Sequence, residues 1–214
     1  MKKTLFLLVS FMLLCSIGMP IAAEEAPEEE QGVTFHFRDY SYTDYSIPTD
    51  AIVEYSADES SETYYVYDRE TEQLIDTLSV TYPMSTNGLT ATQTQFFTDT
   101  QTIYGGGVVV AEVIFTACVT VYSYHSFKQF DAIQYTNLAI GEGICDYSFT
   151  NTSKSAWSHT GSFPCTRIDY AYSTNLVASG TLSAEIEYKL ISAGFTQSTN
   201  YYKYINRSGS FNLY

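Results

Sequence analysis

The residues able to carry chemistry are few and scattered. The three histidines, His36, His125 and His159, lie far apart, and no His-x-x-x-His, Cys-x-x-Cys or Gly-x-Ser-x-Gly spacing occurs. Neither a zinc site nor an esterase nucleophile elbow therefore has local support. Ser158 and His159 are adjacent in the chain, but a catalytic triad is defined by spatial roles rather than by adjacency. Cys118 as a nucleophile would need a histidine and an orienting group beside it, whereas its neighbours Ala117 and Val119 fit a packed, inert thiol. Gly105-Gly106-Gly107 lacks the Lys-Ser/Thr ending of a phosphate loop and precedes a strand pattern, so it reads as a turn or bulge.

Carboxylates give two further constellations. Among Glu112, Asp131, Glu142, Asp146, Asp169, Glu185 and Glu187, the last two would share one strand face at about 7 Å, a spacing of interest for a glycosidase pair. The solvated face of a half-exposed strand explains them equally well. Asp58, Glu59, Glu62 and Asp68 form the densest oxygen-rich group, but no Asp-x-Asp-x-Asp-Gly loop is present and solubility accounts for the charge. These residues assign no catalytic group, metal ligand or cofactor.

Aromatic side chains offer a binding chemistry instead. Trp157, the single tryptophan, stands with His159 in the polar stretch Asn151 to Pro164, and tyrosines cluster at 40, 42 and 45 and at 64, 65 and 67. Strand alternation puts Tyr65 and Tyr67 on one face. Trp157, His159, Tyr65 and Tyr67 are the candidate binding residues, because exposed aromatic surface on a polar background marks interaction sites. Cys145 and Cys165 flank the Trp157 stretch, and a bridge between them would clamp its ends; closing about 20 residues would contribute roughly 3 kcal/mol. Cys118 is then left unpaired.

The chain's opening sets the compartment. Met1-Lys2-Lys3, an apolar run from Leu5 to Met19 and Ile21-Ala22-Ala23 have the form of a secretory signal, with cleavage expected after Ala23. The run falls short of the roughly 18 to 20 residues of a spanning helix, so no transmembrane anchor is expected after cleavage. Cys15 lacks the small preceding residue of a lipidation site, since Leu14 stands there. The short signal looks bacterial, and export permits a disulfide.

Loss of Lys2 and Lys3 moves the formal charge from -14 to -16, which excludes nucleic acid as a natural partner because phosphates call for basic surfaces. The charge is uneven. Residues 24–99 hold 17 acids against Arg38 and Arg69, whereas residues 100–214 hold 7 acids against 6 bases. The expected organisation is a signal at 1–23, an acidic disordered leader at 24–32, an acidic β-meander region at 33–99 and a near-neutral β-sandwich region at 100–214.

The 20 tyrosines, with abundant serine and threonine, favour sheet over helix. Ala51 to Tyr55, Glu62 to Tyr67 and Gln73 to Tyr82 read as short strands joined by polar turns, and Asn87-Gly88 marks another turn. Val108 to Tyr124 is the clearest strand, with Ala111, Val113, Phe115, Ala117, Val119 and Val121 on one apolar face; its length predicts a bend or bulge. Phe130 to Ile140 fits either period, and Ile144 to Thr150 reads as a strand. Leu182 to Leu190 alternates as a second core strand, and Tyr201 to Ile205 and Ser210 to Tyr214 return antiparallel. No repeat of 20 to 50 residues is present. The expected fold is all-β, an antiparallel β-sandwich or sandwich-like barrel with a smaller acidic β-meander on the N-terminal side.

Three function classes fit this pattern. The first is a secreted or surface-associated, non-catalytic binding protein that meets cell-wall glycan or host-surface material. The second is an extracellular hydrolase whose site assembles only in three dimensions. The third is a β-rich pore-former using the Ala111 to Val121 face against lipid. The absence of catalytic motifs favours the first.

Overall fold

The computed structural model describes residues 32–82 and 90–214. The signal segment, the leader up to residue 31 and the Asn87-Gly88 turn lie outside the described residues. Among the described residues twelve strands and one helix follow in chain order: β1 Val33–His36, β2 Tyr40–Asp44, β3 Ile52–Ala57, β4 Ser61–Tyr67, β5 Leu74–Thr81, β6 Thr90–Gly105, β7 Val108–Tyr124, β8 Phe127–Gly143, β9 Asp146–Ser158, β10 Arg167–Ser179, α1 Ala184–Ser192, β11 Thr196–Gln197 and β12 Tyr201–Leu213. They form two six-stranded antiparallel sheets. One is the meander β3-β4-β5-β6-β7-β8; the other has the order β1-β2-β12-β10-β9, with β11 paired to β12.

The meander sheet follows from alternation and tight turns. Gly106 and Gly107, at φ 59° and 80°, close the β6–β7 hairpin with the left-handed pair that side-chain-bearing residues avoid. Along β7 the odd positions Val113, Phe115, Ala117 and Val119 are fully buried, as the alternation predicts. The β7–β8 ladder shifts register at three places, which accommodates a strand of 17 residues. Residue 100, where the charge changes, lies within β6, whose edges pair with β5 and β7.

The interior is built from aromatic residues of both sheets. Phe97 of β6 meets Phe211 of β12 at 4.0 Å between centroids, and Phe115 stacks on Tyr170 and Tyr172 of β10 at 4.9 and 5.1 Å. The apolar face offered above as a possible lipid-facing surface is this packed interior.

Two local expectations are corrected. Residues 182 to 190 do not form a core strand: Ala184–Ser192 is the helix α1. Ser183 caps it by accepting from the Ile186 amide at 3.3 Å, Glu185 and Glu187 suit its first turn, and Lys189 reaches Glu185 at 2.7 Å. Gly194 at φ 80° ends it, with the Phe195 amide donating to Leu190 O and the Gly194 amide to Ile191 O, both at 3.0 Å. Leu182, Ile186 and Leu190 satisfy a spacing of four as well as of two, and only Leu190 of the helix is buried.

The second correction concerns the cysteines. Cys145 and Cys165 are free, as is the buried Cys118. The stretch between the first two is not a loop clamped at its ends but β9 and the turn leading into β10. Cys165 lies at the turn end, where its amide and carbonyl pair with Phe130 of β8 at 3.0 and 2.8 Å. Cys145 precedes the far end, where Asp146 faces Ser179. At ~3.3 Å per residue the ladder from Ile168 to Ser179 holds the two on the order of 35 Å apart, against the roughly 7 Å a bridge tolerates. Burial also pushes the Cys145 thiol above its ordinary pKa, which keeps it unreactive. Alkylation of denatured, unreduced protein should label Cys118, Cys145 and Cys165, with no gain after prior reduction; mass spectrometry showing a linked pair would contradict this.

Candidate functional site: the outer face of the β1-β2-β12-β10-β9 sheet

The side chains that point away from the core on this sheet are mostly polar, with hydroxyls and amides the commonest. From β10 they are Arg167, Asp169, Ala171, Ser173, Asn175 and Val177; on β12 the alternate positions Tyr202, Tyr204, Asn206 and Ser208 continue the face. Two features interrupt this field, one at each end.

Trp157 marks the first end. It lies in β9 opposite Asp169 and is 44% exposed, so its ring stands on the outer face rather than in a loop. Asp169 is held from both sides: His159 Nδ1 donates to Oδ2 and Arg167 Nε donates to Oδ1, each at 2.7 Å. The carboxylate fixes the His159 ring with its proton on Nδ1. This is two-thirds of a hydrolytic constellation, but Ser158 is turned inward, where its hydroxyl bonds Ser162 O and Thr160, and no nucleophile joins His159 among the described residues. The geometry makes a rigid charged cluster beside an exposed indole.

A bulge in β9 sets the orientation of Trp157. Asn175 faces Thr150 and Ser173 faces Ser153, so Asn151 and Thr152 together oppose the single residue Thr174. Asn151 takes φ 53°, a conformation asparagine tolerates better than most residues. Thr174 ties the bulge down with bonds to Thr152 Oγ1 at 2.8 Å and Thr150 O at 3.2 Å. Before the bulge Tyr147 and Phe149 point inward; after it Ala156 and Ser158 do, and Trp157 is turned out.

The second feature is a cleft of about 280 Å³ at the opposite end, lined by Thr150, Asn175, Val177, Ser198, Thr199, Asn200 and Tyr202. Its floor is the β9–β10 ladder beside the bulge. One wall is the β11–β12 turn, pinned by the Ser198 amide donating to Asn200 O at 2.9 Å. No ionisable group except the Tyr202 phenol lines it, and its size is just below the ~300 to 1,000 Å³ typical of small-ligand sites. Strand alternation alone does not announce it; the clustered Ser198-Thr199-Asn200-Tyr201-Tyr202 is the available signal in the sequence.

The other candidates fall elsewhere. Tyr65 and Tyr67 share a face, as alternation requires, but on β4 of the meander sheet, half-buried beside Glu54, which accepts from Tyr67 at 3.2 Å. They do not join Trp157 and His159. The acidic cluster is dispersed: Asp58 and Asp68 accept from their own turns, and Glu62 is buried against Arg38 at 3.3 Å. No group of three metal-ligating side chains is present among the described residues, and no helix among them is long and apolar enough to cross a membrane.

These features define an all-β sandwich with one decorated outer face. No protein-family model, curated protein sequence or solved structure matches the chain.

Proposed function

We propose that the protein is an exported, non-catalytic binder of uncharged polyhydroxylated chains, such as cell-wall or host-surface glycan, laid along the outer face of the β1-β2-β12-β10-β9 sheet. The observation that carries this reading is the lining of the Tyr202 cleft: hydroxyls and amides that both donate and accept, an aromatic ring, and no charge. Such a lining matches a ring bearing hydroxyls on its edge and C–H groups on its face. Trp157 lies on the same face about eight residues along β10, roughly 27 Å away, so an extended ligand can meet both aromatic residues. Export rests on the signal-like first 23 residues.

Tyr202→Ala should weaken binding to purified insoluble cell-wall glycan, measured by co-sedimentation, at least tenfold, about 1.4 kcal/mol, with an unchanged melting temperature. Trp157→Ala should weaken it less for short fragments than for long chains. Full binding by both variants would end this reading, and release of new reducing ends during incubation would turn it to the hydrolase.

A further inference from the structure

The space between the sheets holds ionisable groups that neither the apolar packing nor the outer face uses. Asp44 of β2 and Asp76 of β5 are 0% exposed, Asp99 of β6 is 1% exposed, and Arg207 of β12 is 7% exposed. Tyr42 of β2 and Tyr170 and Tyr172 of β10 complete the charged and titratable groups that face one another here; β7 contributes only the ring of Phe115. Arg207 forks between the sheets, with Nη1 donating to Asp44 Oδ1 at 3.4 Å and Nη2 donating to Asp76 Oδ2. Asp44 also accepts from Tyr42 Oη at 3.0 Å and from the Ser46 amide at 2.6 Å. Asp99 Oδ2 has only the hydroxyls of Tyr170 and Tyr172, each at 3.4 Å.

Two of the carboxylate oxygens are left over, as is Oε1 of Gln101 opposite Asp76. Asp76 Oδ1 and Asp99 Oδ1 are buried without a donor, and the two residues are diagonal neighbours on adjacent strands of one sheet, Asp76 opposite Gln101 and Asp99 opposite Leu78, both facing inward. Three carboxylates against one guanidinium would leave uncompensated negative charge in a closed interior, and two carboxylate acceptors facing each other make no bond. A single proton between them supplies the missing donor and removes one charge.

We propose that Asp76 and Asp99 share one proton in the folded protein, and that this buried acid pair makes the sandwich hold in acid and loosen as the pH rises. Burial first, and the neighbouring carboxylates next, push Asp76 well above the ordinary carboxyl range; burial likewise pushes Asp99 up, with Arg207 opposing it. Unfolded aspartates titrate near about 3.9. The native state therefore binds the extra proton over the interval from that value up to the pair's own. The stabilisation is complete below the unfolded value and is lost as pH climbs towards the folded one, with the unfolding constant rising up to about tenfold per unit. The exposed Asp58, Asp68 and Glu185 are shifted downward, so they act only in the more acid range.

The test is urea unfolding of the full chain at pH 5.5, 6.5, 7.5 and 8.5, with Asp99→Asn alongside. The amide introduced by Asp99→Asn donates permanently where the proton stood, and every surface charge is unchanged. The expected result is a midpoint that falls with pH in the wild type and a flatter profile in the variant, with the difference between them changing sign or narrowing towards pH 8.5. Should Asp99→Asn not fold, Asp76→Asn is read in the same way, and the wild type alone gives a direct count: unfolding at pH 6 should release about one proton into weakly buffered solution. A wild-type midpoint that is flat or rises with pH, or unfolding that releases no proton, overturns the proposal.

Discussion

Arg207→Leu should destabilise the protein by about 3 to 5 kcal/mol near neutral pH, because removing one member of a buried ionic group strands the others. Among the described residues Arg207 is the only cation facing Asp44, Asp76 and Asp99, and its two terminal nitrogens serve different sheets. A loss of this size is a large share of the roughly 5 to 15 kcal/mol of a typical domain. Urea unfolding should show it as a lower midpoint with little change in slope. The loss should shrink at pH 4, where protonation can discharge the stranded carboxylates. Arg207→Lys should fall between, since an ammonium restores charge but not the planar fork that spans Asp44 and Asp76. A loss below about 1 kcal/mol at neutral pH would mean that the cluster is hydrated or already neutral.

Those four charged residues are visible in the sequence only as exceptions to a pattern. Asp76 falls in step with Leu78 and Val80, Asp99 with Phe97, Asp44 with Tyr40 and Tyr42, and Arg207 with Ile205 and Phe211, so each occupies the inward position of its strand. Alternation reveals that each is buried; it does not reveal that Asp76 and Arg207, 131 positions apart, meet. Pairing between strands is a long-range property, and one chain read along its length contains no register between β5 and β12.

Legibility follows the same logic elsewhere. The inward face of β7 is readable because an uninterrupted period of two over six apolar positions admits one interpretation. The helix α1 passes for a strand because Leu182, Ile186 and Leu190 fit both periods. Ser183 before two glutamates, the Glu185–Lys189 spacing and Gly194 after the last apolar residue are the local signals that decide it. Trp157 escapes placement for a different reason. Tyr147 and Phe149 point inward, and carrying their odd parity forward would bury Trp157, but the extra residue at Asn151 reverses the parity of everything after it. The cleft beside that bulge depends on the β11–β12 turn folding over β10, which no local pattern announces.

Phe115→Ala carries the largest purely apolar loss expected, about 3 to 5 kcal/mol, and it tests whether the two sheets form one cooperative interior. Phe115 is fully buried at the middle of β7 and lies flat against Tyr170 and Tyr172, with interplanar angles of 17° and 13°. Truncation removes the transfer energy of the ring, opens a cavity between rigid strands, and leaves the two phenols free to lean away from Asp99. The loss should therefore exceed that of Ile186→Ala, which leaves a half-buried position on α1 and should cost about 1 kcal/mol, half of a full burial. The Phe115 and Asp99 effects should also not add. With Tyr170 and Tyr172 loosened, Asp99→Asn in the Phe115→Ala background should change stability by a different amount than in the wild type, because contacting residues couple by about 0.5 to 3 kcal/mol. Denaturation of the four proteins of this cycle, followed by tyrosine and tryptophan fluorescence, measures both quantities. Strict additivity, or a Phe115→Ala loss no greater than that of Ile186→Ala, would mean that the aromatic stack and the acid cluster are independent and that the sheets do not share a single core.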